Sequence, residues 1–384
     1  MRDTAQVVII GGGIVGHAIA YNLAHRGCRD VVVVEKEPRI GSGSTAYSAG
    51  GVREQFTSAV NIQMARASLD ILEHFEEVMG QAIDYKRAGY LFLATTAAQA
   101  DALRDNVACQ NELGVTSQLV SPAEARERIP ALNIEDVVIG AFNDRDGYVD
   151  PSSICLGYNA RARDLGVRVR TRARVTAIDT AGEKVTGVRL ENGDRIDCSW
   201  VVNAAGPSLH EVGKLAGLDV PAHPYRRMLF ITEKFSLAPR RIPLVVDMAS
   251  GFYFREEGEG IMMGLANPDE PSSFDTTLDW DYLPRVLEPA LHRIPSIEAA
   301  RIGKGWAGLY SITPDHHALL GAYPRRPNLV IAGGFSGHGI MHSPAAGVAL
   351  AELILDGAAD SIDITPLSPT RMTEGRLLTE HNVI

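Results

Sequence analysis

Apolar positions along this chain fall into two textures. In the first, apolar residues follow one another without a polar break, as at residues 7–10 (VVII), 31–34 (VVVV), 90–94 (YLFLA), 200–203 and 328–334. Unbroken β-branched runs of this length predict strands buried on both faces. In the second, apolar residues recur at helical spacing. Ile14, Val15, Ala18, Ile19 and Leu23 form one such stripe, with Gly27 as its stop, and Ile62, Ala65, Leu69, Leu72 and Phe75 form another within 58–80. Further helices are predicted over 97–113, 121–130, 152–165 (Pro151 at the first turn) and from about Pro344 to Leu355. Residues 167–199 read as β structure with Asn192-Gly193 as a hairpin turn. Residues 225–310 read as mixed strand and helix, punctuated by Pro and Gly.

The first strand, helix and second strand make a βαβ unit, and its turn carries Gly11, Gly13 and Gly16 in G-x-G-x-x-G spacing. The first glycine permits the tight bend, the second the approach of a pyrophosphate, and the third the packing of helix on strand; Ile14 and Val15 open the helix over the phosphates. Glu35, followed by Lys36, ends the second strand, where a carboxylate accepts hydrogen bonds from a ribose diol and repels a 2′-phosphate. FAD or NAD is therefore favoured over NADP. Gly43, Ser44 and Thr45, within the Gly-rich segment 41–56, can place N–H groups and hydroxyls around the same pyrophosphate.

At 384 residues the chain predicts two domains. We expect a discontinuous cofactor domain (1–85, 146–220 and 321–384) and a substrate domain inserted in two portions (86–145 and 221–320). The 37 basic and 47 acidic residues give a net charge of −10, which argues against nucleic-acid or anionic-membrane affinity. The pairs Arg226–Arg227, Arg240–Arg241 and Arg325–Arg326 read as solvated surface. Cys28, Cys109, Cys155 and Cys198 show no metal-ligand or disulfide spacing, so no metal site is expected and a reducing compartment fits. No apolar stretch reaches the length of a membrane span, and the N-terminus leaves no room for a signal peptide. The expectation is a cytoplasmic enzyme.

Five segments in order, GSGST (41–45), SAGGVR (48–53), VVNAAGP (201–207), YSITPD (310–315) and GGFSGHG (333–339), resemble the D-amino-acid-oxidase-like FAD-dependent amine oxidoreductases. The sarcosine and glycine oxidase branch and the β subunits of heteromeric proline or opine dehydrogenases look most similar. The resemblance implies an α/β fold: a Rossmann-type, glutathione-reductase-like FAD domain with an inserted mixed-sheet α+β substrate domain. It implies non-covalent FAD, since Gly308 stands where some members carry the cysteine that links the flavin. A second flavin, FMN, would sit only at a subunit interface, and partner subunits or an external electron acceptor are in keeping with the branch. Ser48, Ala49, Gly50 and Gly51, then Ala204, Ala205 and Gly206, and then Gly333, Gly334, Phe335, Gly337, His338, Gly339, Ile340 and Met341 are implied to contact FAD. Val175 falls where the family holds the adenine.

The implied reaction is oxidation of a small amino acid, a secondary amine such as sarcosine, proline, hydroxyproline or an opine before a primary one. Hydride passes from the α carbon to flavin N5, and the imine hydrolyses. Arg53 is the candidate clamp for the substrate carboxylate; its alternative is an ion pair with Glu54 or another acid. Tyr310 matches a family tyrosine that binds the same carboxylate, His338 falls close to the flavin ring, and Tyr253 could wall the pocket. Met262 stands where sarcosine oxidases place the lysine that assists reaction with O₂, and Met341 where they place a second carboxylate-binding lysine. The first departure argues against fast oxidase activity, and the two together argue against a simple sarcosine oxidase and for a longer or more apolar secondary amine. Two other readings stay open on the sequence: a subunit whose FAD is not catalytic, and an NAD-dependent Rossmann oxidoreductase.

Overall fold

A computed structural model describes residues 2–237 and 241–382; Arg240, of the Arg240–Arg241 pair, lies outside the described residues. The strand Arg2–Ile10 runs parallel to Val31–Val34 on one side and to Arg195–Asn203 on the other. The sheet extends to the parallel strand Arg168–Arg170 at one edge, and through Arg326–Gly333 to the antiparallel Leu319–Tyr323 at the other. Val7 and Ile9 face one core and Val8 and Ile10 another, so both faces are covered. That is why these strands read as unbroken apolar runs rather than alternating ones. Helices Ile14–His25, Ala59–Glu73, Pro151–Asp164 and Gly339–Asp356 pack on the first face. The hairpin arms Val175–Ala181 and Lys184–Leu190, with the short helix Leu209–Leu215, cover the second.

Asn192-Gly193 does form the expected hairpin turn, closed by Leu190 N–H on the Asp194 carbonyl at 2.8 Å and by Gly193 N–H on the Leu190 carbonyl at 2.9 Å. The returning arm continues without a break into the central strand that ends at Asn203. The helix expected from Pro344 begins five residues earlier, at Gly339. Proline there removes one N–H, and the carbonyl of Ile340 that it would have served accepts instead from the Ser343 hydroxyl at 3.2 Å. A proline so placed need not end a helix when a neighbouring hydroxyl replaces the lost donor. The stripe read over 58–80 is likewise broken, into Ala59–Glu73 and Phe75–Met79.

A second eight-stranded sheet takes its strands from 90–143 and 223–312 and is almost wholly antiparallel. Its longest ladder, at one edge, pairs His223–Thr232 with Ile302–Ile312. One face buries Phe230, Phe254 and Met263 against the helix Leu283–Arg293. The other face carries Arg227, Leu229, Tyr253 and Tyr310, and it looks toward the open ends of the first sheet. No helix among the described residues is long and apolar enough to cross a membrane.

Candidate active site

Between the two sheets lies a cavity of about 650 Å³. Its long floor is backbone. Gly11, with φ +115°, turns the chain so closely past Ala204 that a Cβ there would strike the Ala204 carbonyl oxygen. Gly13, Ile14 and Val15 line the cavity at the start of the first helix, where peptide N–H groups and the helix dipole favour an anion. Thr45 Oγ1 accepts from Ile14 N–H at 3.2 Å, and Ser44 Oγ donates to the Leu309 carbonyl at 2.6 Å. Together these bonds tie the 41–50 loop between the two sheets. Glu35 is held by N–H bonds from Gly12 and Glu37, both 2.8 Å, and lines the same end of the cavity with Lys36.

Gly43, Ser48, Ala49, Ala204, Ala205, Gly206, Gly333, Gly334, Phe335, Gly337, Gly339 and Ile340 also line this cavity. Six of the predicted cofactor residues do not. Gly16 lies beneath the turn, where a side chain would collide with the Gly11 carbonyl. Gly50 turns with φ +73° against the Val149 carbonyl, and Val175 packs into the apolar core under the hairpin. Gly51, His338 and Met341 line a smaller recess instead. The correction for Met262 has a clear cause: its strand turns it into a fully buried cluster with Leu229, Ile231 and Tyr253, and it lines neither cavity.

The recess, about 40 Å³, opens beside Ser48 and Ala49 and is walled by Arg53, Tyr90, Tyr253, Tyr310 and His338. Three glycines make room for the three rings. A Cβ on Gly51 would strike the Tyr90 hydroxyl, one on Gly264 the Tyr253 ring, and one on Gly337 the Tyr310 ring. Burial raises the pKa of all three phenols, so each keeps its proton; Tyr253 engages the Tyr310 hydroxyl.

Arg53 is 1% exposed. Its guanidinium stacks on Phe56, 4.0 Å from the ring centre, and donates to the Gln55 and Asn382 carbonyls. Burial lowers its pKa against the pull of Tyr90, Glu380, Asp146 and Tyr310, yet a guanidinium stays charged under any ordinary condition. It is not paired with Glu54, whose carboxylate meets Arg145 at 2.9 Å. Asp146 instead fixes the backbone of this segment, accepting from Glu54 N–H at 2.8 Å and Gln55 Nε2 at 2.9 Å; burial pushes its carboxyl up to about 8. His338 Nε2 lies 3.4 Å from Arg53 Nη2. Burial, then Arg53 and three further histidines, drive its pKa well below the usual value, so it is a neutral imidazole.

Five contributors were not legible in the sequence. Tyr90 was visible only as part of an apolar strand. Arg255 donates twice to the Ala49 carbonyl, at 2.9 and 2.6 Å, and so holds the loop between cavity and recess. Glu380 and Asn382 reach in from the far end of the chain: Glu380 accepts from Thr57, Ser58 and Asn61, and Asn382 lies against Arg53. Arg227, read as solvated surface, lines the main cavity. Its partner strand puts Gly308 directly opposite, where Tyr47 packs against the glycine.

The described residues contain no cluster of His, Cys, Asp and Glu able to hold a metal. The glycine-walled trough, a carboxylate at one end and a donor-rich recess at the other suit an elongated dinucleotide with a reactive ring. The comparisons with known proteins agree. L-proline dehydrogenase from P. horikoshii superposes with a TM-score of 0.92 at 31% identity, covering 98% of this chain and 100% of that one. FAD-dependent oxidoreductase domain-containing protein 1 of Xenopus laevis is 32% identical over 428 residues, 100% of this chain and 85% of that protein. Mitochondrial dimethylglycine dehydrogenase of Mus musculus is 30% identical over 390 residues, 96% of this chain but only 44% of that longer protein. Residues 6–353 match the model of the DAO family, described as FAD dependent oxidoreductase. The chain therefore belongs to that family: it is an FAD-dependent oxidoreductase.

Proposed function

We propose that the protein is a dehydrogenase of a small α-amino acid bearing a secondary amine, of the kind of sarcosine, proline, hydroxyproline or an opine. The observation that carries this reading is the recess, where one buried guanidinium and three protonated phenols supply hydrogen-bond donors around a space the size of a carboxylate. Such a set binds an anion strongly, because each bond is charge-assisted and the surroundings are dry. Gly11–Val15 and Ser44–Thr45 would hold the FAD diphosphate and Glu35 its ribose, while Gly333–Gly334 and the start of the helix at Gly339 would lie against its ring. Bound there, FAD supplies the acceptor for the two electrons removed with the α hydrogen.

The chain's own residues then have distinct tasks. Arg53 and the tyrosines hold the carboxylate and so orient the α carbon toward the trough. His338, neutral, accepts rather than repels and keeps Arg53 in place. The amine loses its proton to solvent through the cavity mouth, and the C=N bond forms as the α C–H bond breaks. Lys36 is the only lysine among the described residues lining either cavity, and it sits at the Glu35 end. Without a lysine near the recess, negative charge developing on O₂ gains little stabilisation, which favours an acceptor other than oxygen.

The test is anaerobic mixing of the FAD-loaded enzyme with N-methyl amino acids, L- and D-proline, hydroxyproline, opines and primary amino acids. Loss of the flavin's visible absorbance with a secondary amine, followed by slow recovery in air and fast recovery with an artificial acceptor, is the expected result. Bleaching by primary amino acids alone, or rapid peroxide release, would contradict it.

A further inference from the structure

Adjacent arginines on the strand His223–Thr232 have opposite fates. Strand alternation sends them to opposite faces of the sheet. Arg226 is neutralised there by Glu270 at 2.9 Å and Asp275 at 3.0 Å. Arg227 lines the main cavity, and among the described residues no carboxylate comes within ion-pair distance of it. Its guanidinium donates through Nη1 to the Arg226 carbonyl at 3.0 Å, whereas its Nε, shielded from solvent, has no partner. The Cζ atom lies 5.3 Å from the centre of the Tyr310 ring. Tyr310 is also within the electrostatic reach of Arg53, so two guanidiniums bear on one phenol. A partly buried cation with a shielded, unused donor is costly unless something satisfies it.

Resting on the amino-acid oxidation proposed above, we infer that Arg227 is a second anion subsite and that the substrate is an amino acid carrying a second carboxylate. The recess at Arg53 takes the α-carboxylate. Arg227 takes the distal one, in the part of the main cavity that it lines with Leu229 and Phe274. N-alkylated aspartate or glutamate, or an N-carboxyalkyl amino acid, has this chemistry. The guanidinium fork suits a carboxylate better than an ammonium would, because two parallel N–H groups match two oxygens.

Two measurements on the FAD-loaded enzyme test the subsite. In the first, glutarate and butyrate are titrated against the oxidised enzyme and followed by the perturbation of flavin absorbance, a readout that needs no turnover. The expected result is glutarate binding tighter by about 10- to 100-fold, the worth of one charge-assisted pair. Arg227→Gln should bring that ratio close to one, and Arg227→Lys should restore part of it. Arg226→Gln, which breaks the ion pairs on the other face, should lower the melting temperature and leave the ratio intact. In the second, kcat/KM for N-methylglutamate should exceed that for sarcosine by a similar factor, and the excess should vanish in Arg227→Gln. A folded Arg227→Gln that keeps the preference overturns the inference. So does an equal loss for glutarate and butyrate, since Arg227 would then hold the carboxylate both share. If no amine reduces the flavin while the glutarate preference and its loss persist, the subsite stands and the proposed reaction falls.

Discussion

The trough and the recess are adjoining parts of one site built in opposite ways. The trough is backbone: Gly11, Gly13, Gly333 and Gly334 bring main-chain atoms to the cavity wall, and the carboxylate of Glu35 is itself held by main-chain N–H groups. The recess is side chain: Arg53, Tyr90, Tyr253, Tyr310 and His338 come from five separate stretches and are kept together by burial and hydrogen bonds. A backbone wall tolerates almost no added atoms but needs no particular neighbour. A side-chain wall can be trimmed without collapsing, at the cost of whichever interaction was removed.

Substitutions should separate the two. Gly11→Val places a β-branched side chain at a positive φ and into the Ala204 carbonyl. We expect the largest effect of any single change here: protein that purifies without flavin colour and melts well below the parent, as backbone strain of this type predicts. Arg53→Ala should do the reverse, leaving FAD bound and the fold intact while kcat/KM for the amino acid falls about 10²- to 10³-fold, the usual consequence of deleting a desolvated charge partner. Flavin loss in Arg53→Ala, or a full flavin complement in Gly11→Val, would erase the distinction.

The same contrast decides what could be read from the sequence. Glycines at fixed spacing after an apolar strand report a local backbone requirement, so the trough was legible from residues 7 to 16 and from 333 to 339 almost unaided. The recess depends on strand register, which is set by residues far apart. Arg226 and Arg227 are identical neighbours in sequence; only their pairing with Leu309 and Gly308 sends one to carboxylates on the opposite face and the other into the cavity. Met262 shows the converse. It pairs with Ile231, and that register puts its side chain behind Leu229 instead of into the cavity. Glu380 and Asn382 gave no signal, because a short polar tail has no periodicity until it packs.

A pH titration sharpens the contrast from the scaffold beneath the trough. His17, on the helix that follows the glycine turn, is completely buried with neither ring nitrogen partnered, and burial lowers its pKa from 6.5 to about 4. The unfolded chain then binds the extra proton at any pH between those values. Stability contributed by the neutral ring is therefore complete above 6.5 and is lost as the pH falls toward 4, by about 3 kcal/mol. His17→Leu should flatten that limb of a denaturation-versus-pH curve. It should leave substrate kinetics unchanged, since the ring lines neither cavity. An equally steep acid limb in the variant would assign the loss to His338 or His342 on the recess side.

The smallest expected effect falls where the two regions are tied together. Glu380 accepts from Thr57 N–H at 3.0 Å and Oγ1 at 2.7 Å, from Ser58 N–H at 3.3 Å, and from Asn61 Nδ2 at 2.9 Å, at the start of the helix Ala59–Glu73. Burial alone would raise its pKa; those donors and the Arg53 charge outweigh it and hold the carboxylate below its ordinary range. Two residues on, the Asn382 carbonyl accepts from Arg53, and the Asn382 side chain donates to the Gln55 carbonyl at 3.1 Å. Removing the Glu380 carboxylate thus frees a helix start and loosens one of the two carbonyls that aim the guanidinium. Glu380→Ala should cost about 2 kcal/mol of stability, in the range for a capping and charge-assisted set. KM should rise severalfold with kcat nearly held, because Arg53 is still present but less well oriented. Glu380→Gln, which keeps the shape and one acceptor, should recover most of the KM and less of the stability. A parallel recovery of both would mean that the tail only staples the helix and plays no part in aiming Arg53.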